Sequence, residues 1–301
     1  MREVDIGGAI ASGFKLIGRE PLAFLAWAVV YAVVGLAPQV LITGSSFAAL
    51  SALDPAKAQD PAAIQALMGP MQALQPLSLI TTMTAWVLLY GAIFRAALYP
   101  DDRRYLYLRL GQRELWMGLT LLVLMVLYGL SFVAMLLPLL LIVGVGAAAG
   151  GGGAGVGAAM VIGVPVVLAV LLWGASRLSV ALPMSFAQNA FILPEAWRQT
   201  RGHAGRIFLI FLALFAILLL GELLLLGVGF GLVAALVPLP ELGRAFTENP
   251  AKLFSQINPA VWVAVTFVWA VLAAASAALF SAALAHVYRD LSPEDPAEVF
   301  A

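Results

Sequence analysis

The sequence predicts an all-α fold, a polytopic membrane helical bundle of about six transmembrane helices. Three observations predict it. Of 301 residues, 63% are hydrophobic and only 11% charged, whereas a soluble domain carries roughly 25% charged residues. Sixteen basic and sixteen acidic groups are too few to cover a globular surface of this size in water. Six stretches are long enough to cross a bilayer, which takes about 20 apolar residues. Finally, runs such as residues 218–226 lack the polar–apolar alternation of a barrel strand, so each span must pair its backbone groups internally as a helix.

The chain opens on a short amphipathic helix. Ile6, Ile10, Phe14 and Ile17 share one face, and Asp5, Ser12, Lys15 and Arg19 the other. Span one, residues 22–42, follows a segment with acids as well as bases and no clear small-residue cleavage site, so it reads as a retained helix rather than a signal peptide. The outer loop after it, residues 44–76, has room for a helix over 61–74 that Asp60 caps. Span two covers 77–98 and carries Thr81, Thr82 and Thr84. Asp101 and Asp102 then suit the positive N-terminal end of a second amphipathic helix, in which Tyr107 and Leu110 oppose Arg109, Gln112 and Arg113.

Span three is 115–143. Eight glycines between Gly144 and Gly157 form a chargeless second outer loop without the GK[ST] ending of a phosphate-binding loop. Span four, 160–182, ends near Arg177, Ser176, Ser179 and Ser185. A third amphipathic stretch sets Leu193, Ala196, Trp197 and Thr200 against Glu195, Arg198 and Arg201. Span five, 207–237, contains Glu222. Span six, 260–288, is dominated by small residues from Ala273 to Ala285, a composition for close packing inside the bundle or at a dimer interface. A third outer loop, 238–259, separates them. Three of the runs approach or exceed 29 residues, which predicts tilting, or a break near Gly144 and near Gly227, Gly229 and Gly231.

Thirteen Lys and Arg residues fall on the side of the two chain ends and only Lys57, Arg244 and Lys252 on the other. By the positive-inside rule this puts both termini of a multi-pass protein in the cytoplasm. Spans one, three and five begin near residues 22, 115 and 206, an even spacing. It suggests one membrane domain, 1–301, built from three parallel repeats, 1–98, 99–190 and 191–289, with a short polar tail at 290–301. Each repeat is an interfacial helix followed by a hairpin of spans.

Candidate functional residues are few. With no cysteine, thiolate metal sites and cysteine nucleophiles are excluded. His203 and His286 lie on different segments without partners at ligand spacing, so no metal and no cofactor is implied. Glu222 is ionisable within a span, a functional candidate by default, although a rise of about 24 Å from Arg206 brings it near the outer headgroups. Arg95 and Arg177 close spans two and four, where they can hold lipid phosphates or snorkel. Phe14, Lys15, Tyr107, Arg109, Trp197 and Arg198 are the candidate interfacial anchors.

The exit of span four reads Arg177-Leu178-Ser179-Val180-Ala181-Leu182-Pro183, and the stretch before span five Glu195-Ala196-Trp197-Arg198-Gln199-Thr200-Arg201-Gly202. These segments, with Tyr107 through Leu115, resemble the membrane-domain family of glycerophosphoryl diester phosphodiesterases and the related YciC-like bacterial inner membrane proteins. The resemblance implies a six-helix bundle but no activity, since catalysis in the enzymes of that family belongs to a separate soluble barrel. The expectation is a non-catalytic scaffold, assembly factor or lipid-interacting protein. The alternatives are a carrier with a cavity between hairpins, and an intramembrane enzyme, for which no nucleophile–base pair is visible. The partners implied are membrane lipids and a second copy or another membrane protein. The scattered basic residues exclude nucleic acid.

Overall fold

A computed structural model describes residues 3–51, 62, 65, 69, 72–146, 152–236 and 259–292. Helix makes up 88% of the structure, and no strand occurs among the described residues. The chain runs through α1 (Ile6–Arg19), α2 (Pro21–Val30), a π-helical segment (Tyr31–Leu36), α3 (Ala37–Ser51), α4 (Gln75–Leu98), a 3₁₀ turn (Arg104–Tyr107), α5 (Gln112–Gly146), α6 (Gly152–Leu178), α7 (Ala181–Gln188), α8 (Leu193–Gln199), α9 (Ala204–Leu236) and α10 (Pro259–Leu291). Six runs are long and apolar enough to cross a membrane: Pro21–Ser45, Gln75–Leu98, Arg104–Leu141, Gly163–Gln188, Ala204–Gly227 and Val263–Leu291. The protein is a multi-pass membrane protein.

The glycine-rich second loop at 147–151 and the third outer loop at 238–258 lie outside the described residues. So does most of the proposed 61–74 helix, of which Ala62, Gln65, Gly69 and Gln72 are helical. Where a break was expected at Gly144 and at Gly227 to Gly231, α5 and α9 continue to Gly146 and Leu236. The irregularity falls instead in the first span. Pro38 has no N–H to donate and its ring opposes the carbonyl of Val34, and the helix widens to a π-turn just before it. Thr82 of α4 donates to the Gly35 carbonyl at 3.4 Å, and Gln39 donates to Thr82 at 3.4 Å. Thr81 and Thr84 bond their own helix.

Burial follows direction. The three outgoing spans bury 22, 11 and 11% of their most apolar windows and the three returning ones 39, 33 and 28%. The returning elements α4, α7 and α10 meet one another at the centre, and the outgoing ones face lipid. Helices α2, α5 and α9 start at Pro21, Gln112 and Ala204, close to the even spacing of the sequence. Both described ends lie together, with the Asp5 N–H donating to Asp290 Oδ2 at 3.1 Å.

The three amphipathic stretches differ. Helix α1 forms, but the face it buries is Ala9, Gly13 and Leu16, rotated from the Ile6–Ile10–Phe14–Ile17 stripe, which stays partly exposed with Phe14 at 51%. Small residues win because α1 lies directly on α10: a Cβ at Gly13 would stand 2.6 Å from Leu279 Cα and 3.2 Å from the Ala278 carbonyl. The second stretch is not a helix. Tyr105, Leu106 and Tyr107 take left-handed φ values of 53, 55 and 68°, and extended chain leads to α5. The third is the seven-residue α8.

Gly13→Ala therefore lowers stability by about 1–3 kcal/mol, because backbone cannot give way, and lowers the unfolding temperature in detergent. Gly18→Ala, with open space around its Cβ position, leaves it unchanged or raises it, since alanine favours helix by about 1 kcal/mol.

Candidate functional site at the basic end

Among the described residues, the polar chemistry concentrates where both described chain ends lie. Its deepest part is Arg95 in the last turn of α4, 2% exposed. Its guanidinium forms an ion pair with Glu114, 1% exposed, in the first turn of α5. It also donates to the Tyr107 carbonyl at 2.9 Å, and Asp102 stands 3.6 Å away. Phe186 of α7 offers its ring 5.7 Å from the guanidinium carbon. Gly91 makes room for the acid, since a Cβ there would stand 2.8 Å from Glu114 Cγ. The second oxygen, Glu114 Oε2, is buried without a hydrogen-bond partner among the described residues.

This pair holds the left-handed turn. Three non-glycine residues in that conformation cost about 1–2 kcal/mol each. Against this, Arg95 takes the Tyr107 carbonyl, and the Trp27 indole donates to the Leu106 carbonyl at 2.9 Å. The Tyr107 hydroxyl reaches the Pro100 carbonyl at 3.1 Å and Glu20 at 3.3 Å, and its ring packs edge-on to Trp27. Outside the membrane spans, burial pushes the neighbouring Tyr99 phenol up, and Arg113 lies over its ring at 4.7 Å.

A second arginine repeats the motif. Arg177, 9% exposed, donates to the Thr200 carbonyl at 3.2 Å, and the Thr200 hydroxyl returns a bond to the Arg177 carbonyl at 2.8 Å. The Trp197 ring sits 4.7 Å from the guanidinium carbon and meets Trp173 edge-on. Arg95 and Arg177 thus act as struts, largely buried, whose guanidinium groups meet protein carbonyls and rings. Tyr107, expected as an anchor at the surface, is 1% exposed, and Trp197 is partly buried against the core. Phe14, Lys15, Arg109 and Arg198 are exposed, with Arg109 paired to Asp102 at 2.7 Å and Arg198 to Glu195 at 2.9 Å. Glu222 is exposed on α9, far along the span from this end.

Beside the struts lies a hollow of about 470 Å³ between α1, α10 and the end of α4. Helix α1 contributes Lys15 and Arg19 to its wall and α10 contributes His286 and Arg289. The Arg19 guanidinium donates to the Ala96 carbonyl at 2.8 Å and that of Arg289 to the Ala97 carbonyl, both in the final turn of α4. These carbonyls carry the negative end of the helix dipole. At the other edge of α1, the Arg206 guanidinium 3.0 Å from Glu3 holds that carboxyl below the usual range.

Glu114 and the hollow were missed in the sequence. Glu114 carried a signal, an acid at the first turn of a span one hairpin away from a span-closing arginine. Among the described residues, no group of three or more His, Asp or Glu side chains is placed to hold a metal ion. No protein-family model matches the chain, and neither does any curated protein or solved structure.

Removing one member of the buried pair, by Arg95→Met or Glu114→Leu, costs about 3–5 kcal/mol by stranding the other charge. The double variant loses much less than the sum. Unfolding of the four proteins in mixed micelles measures the coupling, and additive losses would show that the two side chains do not act as a unit.

Proposed function

We propose that the protein is a non-catalytic scaffold or assembly factor of the bacterial inner membrane, acting through its basic end at the level of the lipid headgroups. The observation that carries this reading is the interlocked basic end. Arginine struts, the left-handed turn and the short helices interlock there, with Phe14, Lys15, Tyr105 and Leu106 exposed. A carrier needs a polar path through the spans, yet Glu222 lies on an exposed helix side, and the span-two threonines are taken up by helix carbonyls and Gly35. The resemblance of the Arg177–Pro183 and Glu195–Gly202 segments to phosphodiesterase membrane domains agrees with a membrane module that serves another activity. The excess of Lys and Arg supports a cytoplasmic placement of the basic end.

The test uses the absence of cysteine. Single cysteines at Lys15 and Arg104 should react with an impermeant maleimide only when the cytoplasmic face is open, and one at Lys57 from the opposite side. In the same membranes, a photoreactive residue at Phe14 or Tyr105 should give a discrete protein adduct, and one at Leu224 none. In proteoliposomes, lipid exchange between leaflets should match protein-free vesicles. Accelerated exchange abolished by Glu222→Gln, without protein adducts, would make the protein a carrier instead.

A further inference from the structure

We infer that the hollow walled by Lys15, Arg19 and Arg289 is a binding site for a phosphate ester anion. Three permanent cations converge on one space of about 470 Å³, within the usual range of a small-molecule site. Among the described residues, no carboxylate lines it. Glu20 lies 3.6 Å from Arg19 Nε and Asp290 lies 3.8 Å from His286, so the acids stand on the flanks of the cations rather than in the hollow. An anion seated between these side chains meets charge of the opposite sign from three directions.

The geometry is also prepared. Arg19 and Arg289 each spend one terminal nitrogen on neighbouring carbonyls of α4, which fixes two planar guanidinium groups on the same wall. A guanidinium carries five N–H donors in a rigid fork that matches phosphate oxygens. Lys15 enters from α1 as an exposed cation and takes part in none of the ion pairs found among the described residues. Ser12 and His286 add polar groups to the lining, and the side chains of Leu16, Ala282 and Ala285 give it an apolar part, as suits the carbon stem attached to a phosphate. Their position beside an amphipathic helix places the site where headgroups of anionic lipids lie. A soluble phosphate offers the same oxygens. The inference rests on the headgroup-level placement proposed above, but its chemistry does not require a scaffold.

The experiment is binding to the full chain in a neutral detergent. The probes are short-chain phosphatidylglycerol, glycerol phosphate and inorganic phosphate, with short-chain phosphatidylcholine as the neutral-headgroup comparison. Phosphatidylglycerol should bind, and Lys15→Gln should weaken it about tenfold, the loss of one charge-assisted hydrogen bond. Arg198→Gln, outside the hollow, should leave it unchanged. Because Lys15 is exposed, its variant should keep the wild-type unfolding temperature, and Arg289→Lys provides a second alteration of the wall. Lys15-dependent binding of phosphatidylglycerol alone identifies a lipid headgroup, and equal Lys15-dependent binding of inorganic phosphate identifies a soluble anion. Binding of no phosphate probe, or binding indifferent to both Lys15→Gln and Arg289→Lys, overturns the inference. Failure here leaves the adduct and exchange results of the scaffold test untouched, so the two readings fall separately.

Discussion

Four arginines at one end of the bundle each donate to a backbone carbonyl at a turn or helix end, and the basic layer depends on them. Arg19 and Arg289 serve Ala96 and Ala97 at the end of α4, Arg95 serves Tyr107, and Arg177 serves Thr200. The last carbonyls of a helix have no partner within it, and at the edge of a membrane water cannot be relied upon to supply one. Arginine suits the task because it donates several hydrogen bonds, accepts none and stays charged. The residues that make this end basic are thus structural parts of it.

This constraint explains where the core sits. The returning spans carry arginines in their final turns, at Arg95, Arg177 and Arg289, and Arg289 ties α10 to the end of α4, where small residues are buried. Ala274, Ala278 and Ala283 of α10 are fully buried, and their size lets α1 approach until Gly13 meets the backbone of Leu279. In lipid, association comes from close packing rather than from escape out of water. Leu-rich α9 has little of that packing and keeps large side chains such as Leu220 and Leu224 outward, 62 and 70% exposed.

The spans were legible because lipid imposes a length and a composition that a sequence displays directly. The small-residue stripe of span six was legible for a similar reason, and it packs inside the bundle. The interfacial helices were less so. A helical period in 107–113 did not reveal that Arg95 and Trp27 capture the carbonyls just before it and hold the chain left-handed. In α1 the large apolar residues marked a stripe, yet the tight packing chose Ala9 and Gly13. Arg95 and Arg177 read as headgroup ligands or snorkelling anchors because their depth in the span was visible, while the partners that bury them, Glu114 and Trp197, come from other elements. The hollow beside them joins residues from the two ends of the chain, a juxtaposition that sequence spacing cannot show.

Arginine-held carbonyls make the basic end a rigid layer, and amide hydrogen exchange in lipid nanodiscs reads that rigidity residue by residue. The amides of Leu106 and Leu108 bond to the Arg103 and Tyr105 carbonyls at 3.2 and 3.1 Å within the left-handed turn. In the wild-type protein they should exchange as slowly as helical amides of α8, and Glu114→Gln, which loosens Arg95, should bring the turn to the rapid exchange of an open loop. Rapid exchange in the wild type, or slow exchange that survives Glu114→Gln, would contradict the account.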